Sequence, residues 1–230
     1  MIERVYRQAN SVVDDVWVAT DDERIRQAVE DFGGKVVMTS PNHRSGTDRI
    51  EEAMQHIEET TGSRFDVVVN VQGDEPFIHP SQITTVCQCF NDAETQIATL
   101  GKPFNGNWTA ISNPNSPKIA VSHRGFALYF SRSVIPYLRG EEPEAWGDKF
   151  PYLKHIGLYA YRRETLHAVT QLQPSPLEKA ESLEQLRWLE EGYRIRVGLT
   201  DIETIGIDTP EDLARAEEFL LQSDSHKSLS

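Results

Sequence analysis

Val67-Val68-Val69-Asn70-Val71-Gln72-Gly73-Asp74-Glu75-Pro76 is the stretch that decides how this chain folds. An unbroken β-branched run of this kind predicts a strand buried on both faces of a parallel sheet. Gly73 and Pro76 stop it, which sets Asp74 at the strand's carboxyl end, where open α/β sheets bind their ligands. A carboxylate at the lip of an apolar core is costly unless a counter-charge pairs with it. A metal ion carrying a nucleotide's phosphates meets that need, so the stretch points to an enzyme that handles an activated nucleotide.

Upstream of it, helix and strand alternate. Residues 1–9 place Ile2, Val5, Tyr6 and Ala9 on one helical face, and 16–19 read as a strand. Thr20-Asp21-Asp22-Glu23 opens a second helix with acid in its first turn, which Gly33-Gly34 closes. Residues 35–39 form the next strand, and a polar loop leads into a helix that Asp48 and Glu51 are expected to cap. Downstream, 95–102, 118–122, 127–131 and 155–162 are strand-like, 177–191 reads as one helix, 194–199 as a strand and 210–221 as a closing helix. This alternation predicts an α/β fold built on a doubly wound, mostly parallel sheet, with antiparallel additions that form a smaller lobe. Residues 1–222 read as a single domain and 223–230 as a disordered polar tail.

The 230 residues carry 38% hydrophobic and 26% charged side chains, the make-up of a soluble globular protein. A net charge of −13 argues against a general nucleic-acid binder, which needs a basic surface. No apolar run reaches the length of a membrane span, and no signal peptide opens the chain. Cys87 and Cys89 face different sides of a predicted helix and make a poor disulfide or metal pair, so free thiols fit a reducing cytoplasm.

A second acidic position is Asp208, in Gly206-Ile207-Asp208-Thr209-Pro210. Asp208 or Thr209 can simply cap the helix that Pro210 begins, and Asp74 can be a turn former. Taken together at one sheet edge, Asp74 and Asp208 make a plausible Mg²⁺ pair, since hard oxygens plus substrate phosphates are how that ion is held. Ser45-Gly46-Thr47 offers backbone N–H groups and two hydroxyls at a helix start, or is only a helix entry. Arg49 beside it is a ligand contact or an ordinary surface arginine. His155 and Tyr159 share a strand face, as site residues or as a half-buried core pair. Glu181, Glu184 and Gln185 share a helix face, suited to sugar hydroxyls or to solvent. Lys118 reaches a phosphate or carboxylate, or is a strand-edge lysine.

His43 to Arg49, Val69 to Pro76, Asn113-Pro114-Asn115, Tyr129 to Arg132, His155 to Tyr159, Gln173 to Glu178, Leu183 to Arg187 and Asp208 to Leu213 occur in an order and spacing that closely resemble the CMP-Kdo synthetases. These are the 3-deoxy-manno-octulosonate cytidylyltransferases of Gram-negative bacteria, and the resemblance covers essentially the whole chain. It implies a Rossmann-like nucleotidyltransferase fold and transfer of CMP from CTP to Kdo with release of pyrophosphate, for lipopolysaccharide biosynthesis in the cytoplasm by a homodimer. It also implies that Asp74 and Asp208 are the Mg²⁺ ligands and catalytic carboxylates. Ser45, Gly46, Thr47 and Arg49 would bind the nucleotide, and Gln72, Lys118, His155, Tyr159, Glu181, Glu184 and Gln185 the sugar. Members begin with a strand and a loop of the kind Ile-Pro-Ala-Arg-x-x-Ser-x-Arg-Leu-Pro-Gly-Lys-Pro that holds the triphosphate. Met1 to Val5 corresponds to the helix after that loop, so the chain as read is expected to be incomplete at its N-terminus, by a start codon set too far downstream. Cytidylyl transfer to another acidic sugar, and a non-catalytic dimeric binding relic, are the alternatives.

Overall fold

The computed structural model of the chain describes residues 1–203. Asp208, the expected closing helix and the expected tail lie outside the described residues. Helix α1 (Ile2–Asn10), strand β1 (Val18–Thr20), helix α2 (Glu23–Asp31) and strand β2 (Val36–Met38) come first. Helix α3 (Gly46–Thr61), strand β3 (Val67–Asn70), helix α4 (Pro80–Gln88) and strand β4 (Ile97–Pro103) follow. A short helix α5 (Trp108–Ser112) precedes strands β5 (Lys118–Val121) and β6 (Ala127–Ser131), and α6 (Trp146–Lys149) precedes the long strand β7 (Leu153–Arg162). Helices α7 (Arg163–Thr170), α8 (Pro176–Glu181) and α9 (Gln185–Glu190) and strand β8 (Ile195–Leu199) come last.

Local chemistry starts several of these helices. Asp22 caps α2 by accepting from the Arg24 N–H. His79 and Gln82 cap α4 reciprocally with Pro80 at its first position, and Ser175 and Glu178 do the same for α8.

The strands form a parallel β1–β2 pair and a six-stranded sheet in the order β6-β5-β7-β4-β8, with β3 pairing β7. Strands β3, β4 and β5 are each antiparallel to β7, β6 is antiparallel to β5, and β8 is parallel to β4. It follows that β3, β4, β5 and β8 run one way, with β6 and β7 against them. This is the α/β sheet with antiparallel additions that the alternating pattern predicts.

Alternation along β4 and β7 divides the core in two. Ala98, Leu100, Ile156, Leu158 and Ala160 face one side, where Val5, Ile83 and Val86 of α1 and α4 cover them. Ile97, Tyr159 and Tyr161 face the other, against Met54, Leu166 and Trp188 of α3, α7 and α9. Phe104, Ile111, Trp146 and Tyr152 make a separate small core beyond the sheet.

Four expectations need correction. Strand β3 stops at Asn70, so Asp74 lies in the turn that follows rather than on the strand. Val67, Val68 and Val69 are half-buried instead of enclosed, because among the described residues β3 pairs on one edge only. Its other edge borders a cavity of about 370 Å³ that β1 borders as well, roofed by Val5 of α1 and Ile50 and Met54 of α3. Helix α3 is capped by Ser45 rather than Asp48, since the Ser45 hydroxyl accepts from the Asp48 N–H over 3.2 Å. Finally, 177–191 is two short helices. Ser182 is left-handed at φ 51°, and Arg132 binds the carbonyls of Glu181 and Ser182 that a continuous helix would use.

Candidate active site

The turn after β3 is braced from below. Arg4 of α1 donates to the Pro76 carbonyl over 2.7 Å and lies over the Phe77 ring. Gln72, Gly73 and Asp74 are thereby presented at the sheet's edge, with the Glu75 N–H returning to the Gln72 carbonyl. Helix α3 meets this turn at its first residue. A Cβ on Gly46 would come within 3.5 Å of the Asn70 amide and 3.6 Å of the Gln72 amide, which is ordinary contact. The start of α3 thus sits directly on the end of β3.

Thr47 extends the contact to the far end of the described chain. It is buried, and its hydroxyl donates to Glu184 Oε2 over 2.9 Å. Arg187 holds the other carboxylate oxygen at 3.2 Å and is itself fixed by Glu178 and the Leu172 carbonyl. Burial raises the Glu184 carboxyl above its usual range, against the opposing pull of Thr47 and Arg187. Gln185 next to it is buried, and its Nε2 has no partner among the described residues.

The floor is aromatic. The Tyr159 ring lies 5.4 Å from His155 and 5.3 Å edge-on to Trp188, which also abuts Tyr161 at 5.5 Å. Among the described residues the buried Tyr159 and Tyr161 hydroxyls make no well-formed hydrogen bond, and burial raises both phenols above their ordinary range, against the opposing pull of Thr99 on Tyr159 and Thr47 on Tyr161. His155 approaches Phe130 at 5.2 Å and Thr99 Oγ1 at 3.2 Å. Burial, helped by the Lys154 charge, lowers its pKa to about 3, so the imidazole is neutral at physiological pH. This cluster therefore pairs aromatic packing with buried polar atoms that lack partners among the described residues. It lies next to the cavity that β3 and β1 border, which Gly46, Arg49, Asn70, Gln72 and Gly73 line.

Ser45, Gly46, Thr47, Gln72, His155, Tyr159, Glu184 and Gln185 all belong to this connected set. Two other candidates, Lys118 and Glu181, are turned into the scaffold, and Arg49 lines the cavity beside β3 with Gly46 and Gln72. Lys118 is fully buried, and its ammonium donates to the Asn113 and Arg132 carbonyls. Arg49 binds the Thr39 hydroxyl at 2.7 Å and Asp21 at 3.1 Å. Glu181 accepts from the Ser131 hydroxyl and the Arg132 N–H, on the other side of the break from Glu184. Asn70, Thr99, Tyr161 and Trp188 join the site without having been singled out. The i, i+2 continuation from Tyr159 to Tyr161 was a usable signal for one of them.

Asp74 is a hard-oxygen donor in this edge turn. Among the described residues no group of three or more His, Cys, Asp or Glu side chains is arranged to hold a metal. One carboxylate in an edge turn still suits a hydrated divalent ion completed by substrate oxygens, which is how Mg²⁺ is commonly bound.

A family model described as "Cytidylyltransferase" matches residues 1–197. The chain belongs to the cytidylyltransferase family. Within it, the chain is 59% identical over 223 residues to the 3-deoxy-manno-octulosonate cytidylyltransferase of Parabacteroides distasonis, covering 96% of this chain and 87% of that protein. The enzyme of the same name from Bacteroides thetaiotaomicron is 59% identical over 222 residues, with the same coverage. A solved structure of CMP:2-keto-3-deoxy-manno-octonic acid synthetase complexed with CTP aligns with TM-score 0.86 and 42% identity, over 96% of this chain and 88% of that one. The 4-diphosphocytidyl-2C-methyl-D-erythritol synthase of Anaerococcus prevotii, at TM-score 0.56 and 11% identity over 96% of this chain and 89% of that one, shares the fold. The fold is thus shared by chains with little sequence in common, and 59% identity sets the first two relatives well apart from that background.

Proposed function

We propose that this cytidylyltransferase transfers CMP from CTP to 3-deoxy-manno-octulosonate, releasing pyrophosphate. The observation that carries this reading is the bond from Thr47 to Glu184, which ties the Ser45–Thr47 turn to the start of α9, whose Trp188 packs edge-on against Tyr159. The name shared by the most similar relatives supports the same substrate pair.

In the reaction, the anomeric hydroxyl oxygen of the sugar attacks the α-phosphorus of CTP. The bond from that phosphorus to the pyrophosphate oxygen breaks, and the hydroxyl proton is lost. The start of α3 offers backbone N–H groups and the Ser45 and Thr47 hydroxyls to the nucleotide. Gln72, His155, Tyr159 and Gln185 meet the sugar's hydroxyls, and the apolar floor behind them excludes water. Asp74 would hold a divalent cation, Mg²⁺ in this reading, together with Asp208. Such an ion neutralises charge on the phosphates and lowers the hydroxyl's pKa. Lys118 and Glu181 act on the scaffold around the site, and Arg49 stays on the nucleotide side, in the wall of the cavity beside β3. A homodimer working in the cytoplasm completes the proposal; no helix among the described residues is long and apolar enough to cross a membrane.

Pyrophosphate release is the test, measured on the protein expressed from its full genomic reading frame with CTP and Mg²⁺. Release with Kdo, abolished by EDTA and much slower with a sialic acid, is the expected result. No release with Kdo from folded protein overturns the substrate assignment.

A further inference from the structure

Strand β4 and strand β7 fall out of step at one place. Thr99 is opposite Tyr159, yet Leu100 is opposite Ile156, so Gly157 and Leu158 are looped out of the ladder. Thr99 is completely buried against this bulge. Its Oγ1 lies 2.9 Å from the Leu158 carbonyl, 3.1 Å from the Ile156 carbonyl and 3.2 Å from His155 Nε2.

The hydrogen-bonding inventory fixes the direction of these contacts. Both carbonyls can only accept, and the threonine hydroxyl has one hydrogen to give. That hydrogen goes to the carbonyls, so Oγ1 turns a lone pair to Nε2. Two lone pairs facing each other inside a protein repel, and the contact is favourable only when Nε2 carries a hydrogen. The other ring nitrogen has a different fate. Nδ1 makes no hydrogen bond among the described residues, and it is absent from their buried, unpartnered polar atoms. The ring is half-buried and lies 5.4 Å from that of Tyr159.

We propose that Thr99 is a positioning residue that holds His155 in its Nε2–H tautomer, so that Nδ1 presents a lone pair to a hydroxyl of the bound sugar acid. The identity of that hydroxyl donor rests on the function proposed above; the tautomer does not. Because the imidazole is neutral at working pH, it carries a single hydrogen, and fixing it on Nε2 leaves Nδ1 purely an acceptor. The site then discriminates by polarity. A ligand with a hydroxyl at this position is held, and one with an ether or a hydrogen there leaves Nδ1 desolvated and unpaired.

Nitrogen-15 spectra of the imidazole side chains in the ligand-free protein read the tautomer directly, with His155→Gln identifying the signal. A His155 ring protonated on Nε2 and bare on Nδ1 is the expected result; a hydrogen on Nδ1 overturns the proposal without any further variant. Thr99→Val removes the hydroxyl and keeps the shape. It is expected to mix the tautomers and to raise KM for Kdo about tenfold, the worth of one hydrogen bond. KM for CTP stays within about twofold on the same reasoning, and Thr99→Ser restores both readouts. An unchanged tautomer in Thr99→Val, or an unchanged KM for Kdo once the tautomer has mixed, refutes the assignment. Failure of the wild type to turn over Kdo would instead refute the substrate reading, since the tautomer is measured with no ligand present.

Discussion

Acidification should weaken this protein through His155. The imidazole has an ordinary pKa of 6.5 in the unfolded chain and about 3 in the fold, so between those values the unfolded state binds one more proton. Stability from this group is fully present above pH 6.5 and is lost as pH falls toward 3. One pKa unit is worth about 1.4 kcal/mol, which gives a slope approaching that value per pH unit and a loss of about 2 kcal/mol between pH 7 and pH 5. The ring's partial exposure makes about 2 kcal/mol the upper figure. Urea denaturation of wild type and His155→Gln at half-unit pH steps isolates the effect. Glu52 and Glu58, whose carboxyls are held below their usual range by His43 and Arg163 against the cost of burial, contribute equally to both proteins. The wild-type curve should fall more steeply than the variant's from pH 6.5 to 5. Two parallel curves would mean that the buried ring accepts its proton as readily as a free histidine, and the reasoning would be wrong.

Lys118→Met removes the ammonium that two backbone carbonyls share; it should lower the urea midpoint by the equivalent of about 2–4 kcal/mol while leaving KM for both substrates near the wild-type value. A raised KM without loss of stability would instead make Lys118 a ligand contact. Thr47→Val deletes the donor to Glu184 and leaves that half-buried carboxylate to Arg187 and Ser45. It should cost about 1–3 kcal/mol in stability and raise KM, and thermal melts alongside initial rates check both effects.

Much of the fold was legible because its elements are local. The period-2 pattern in 118–122, 127–131 and 155–162 and the turn residues between them predict β5, β6 and β7 to within a few residues. The break at Ser182 was not legible. No glycine or proline marks it, and the carbonyls that a continuous helix would use are bound by Arg132, fifty residues earlier in the chain. Long-range partners likewise decide which polar residues join the site. Glu181 and Glu184 look equivalent on a helical wheel, yet the break sends one to Ser131 and the other to Thr47. Lys118 sits in a strand pattern that gives no hint of two carbonyls waiting at its tip. Thr99 reads as one more β-branched strand residue, and only the bulge in its neighbour shows what its hydroxyl is for.

The hydrogen bond from Thr47 to Glu184 joins residues 137 positions apart. Contacts of such separation come late in folding, because the loop they close must lose its freedom before the bond returns anything. The β3–β7 and β4–β8 pairings close loops of the same order, Val67 to Arg162 and Ile97 to Ile195. The sheet and the Thr47–Glu184 contact therefore wait on the same chain ends, and activity on refolding should return together with secondary structure.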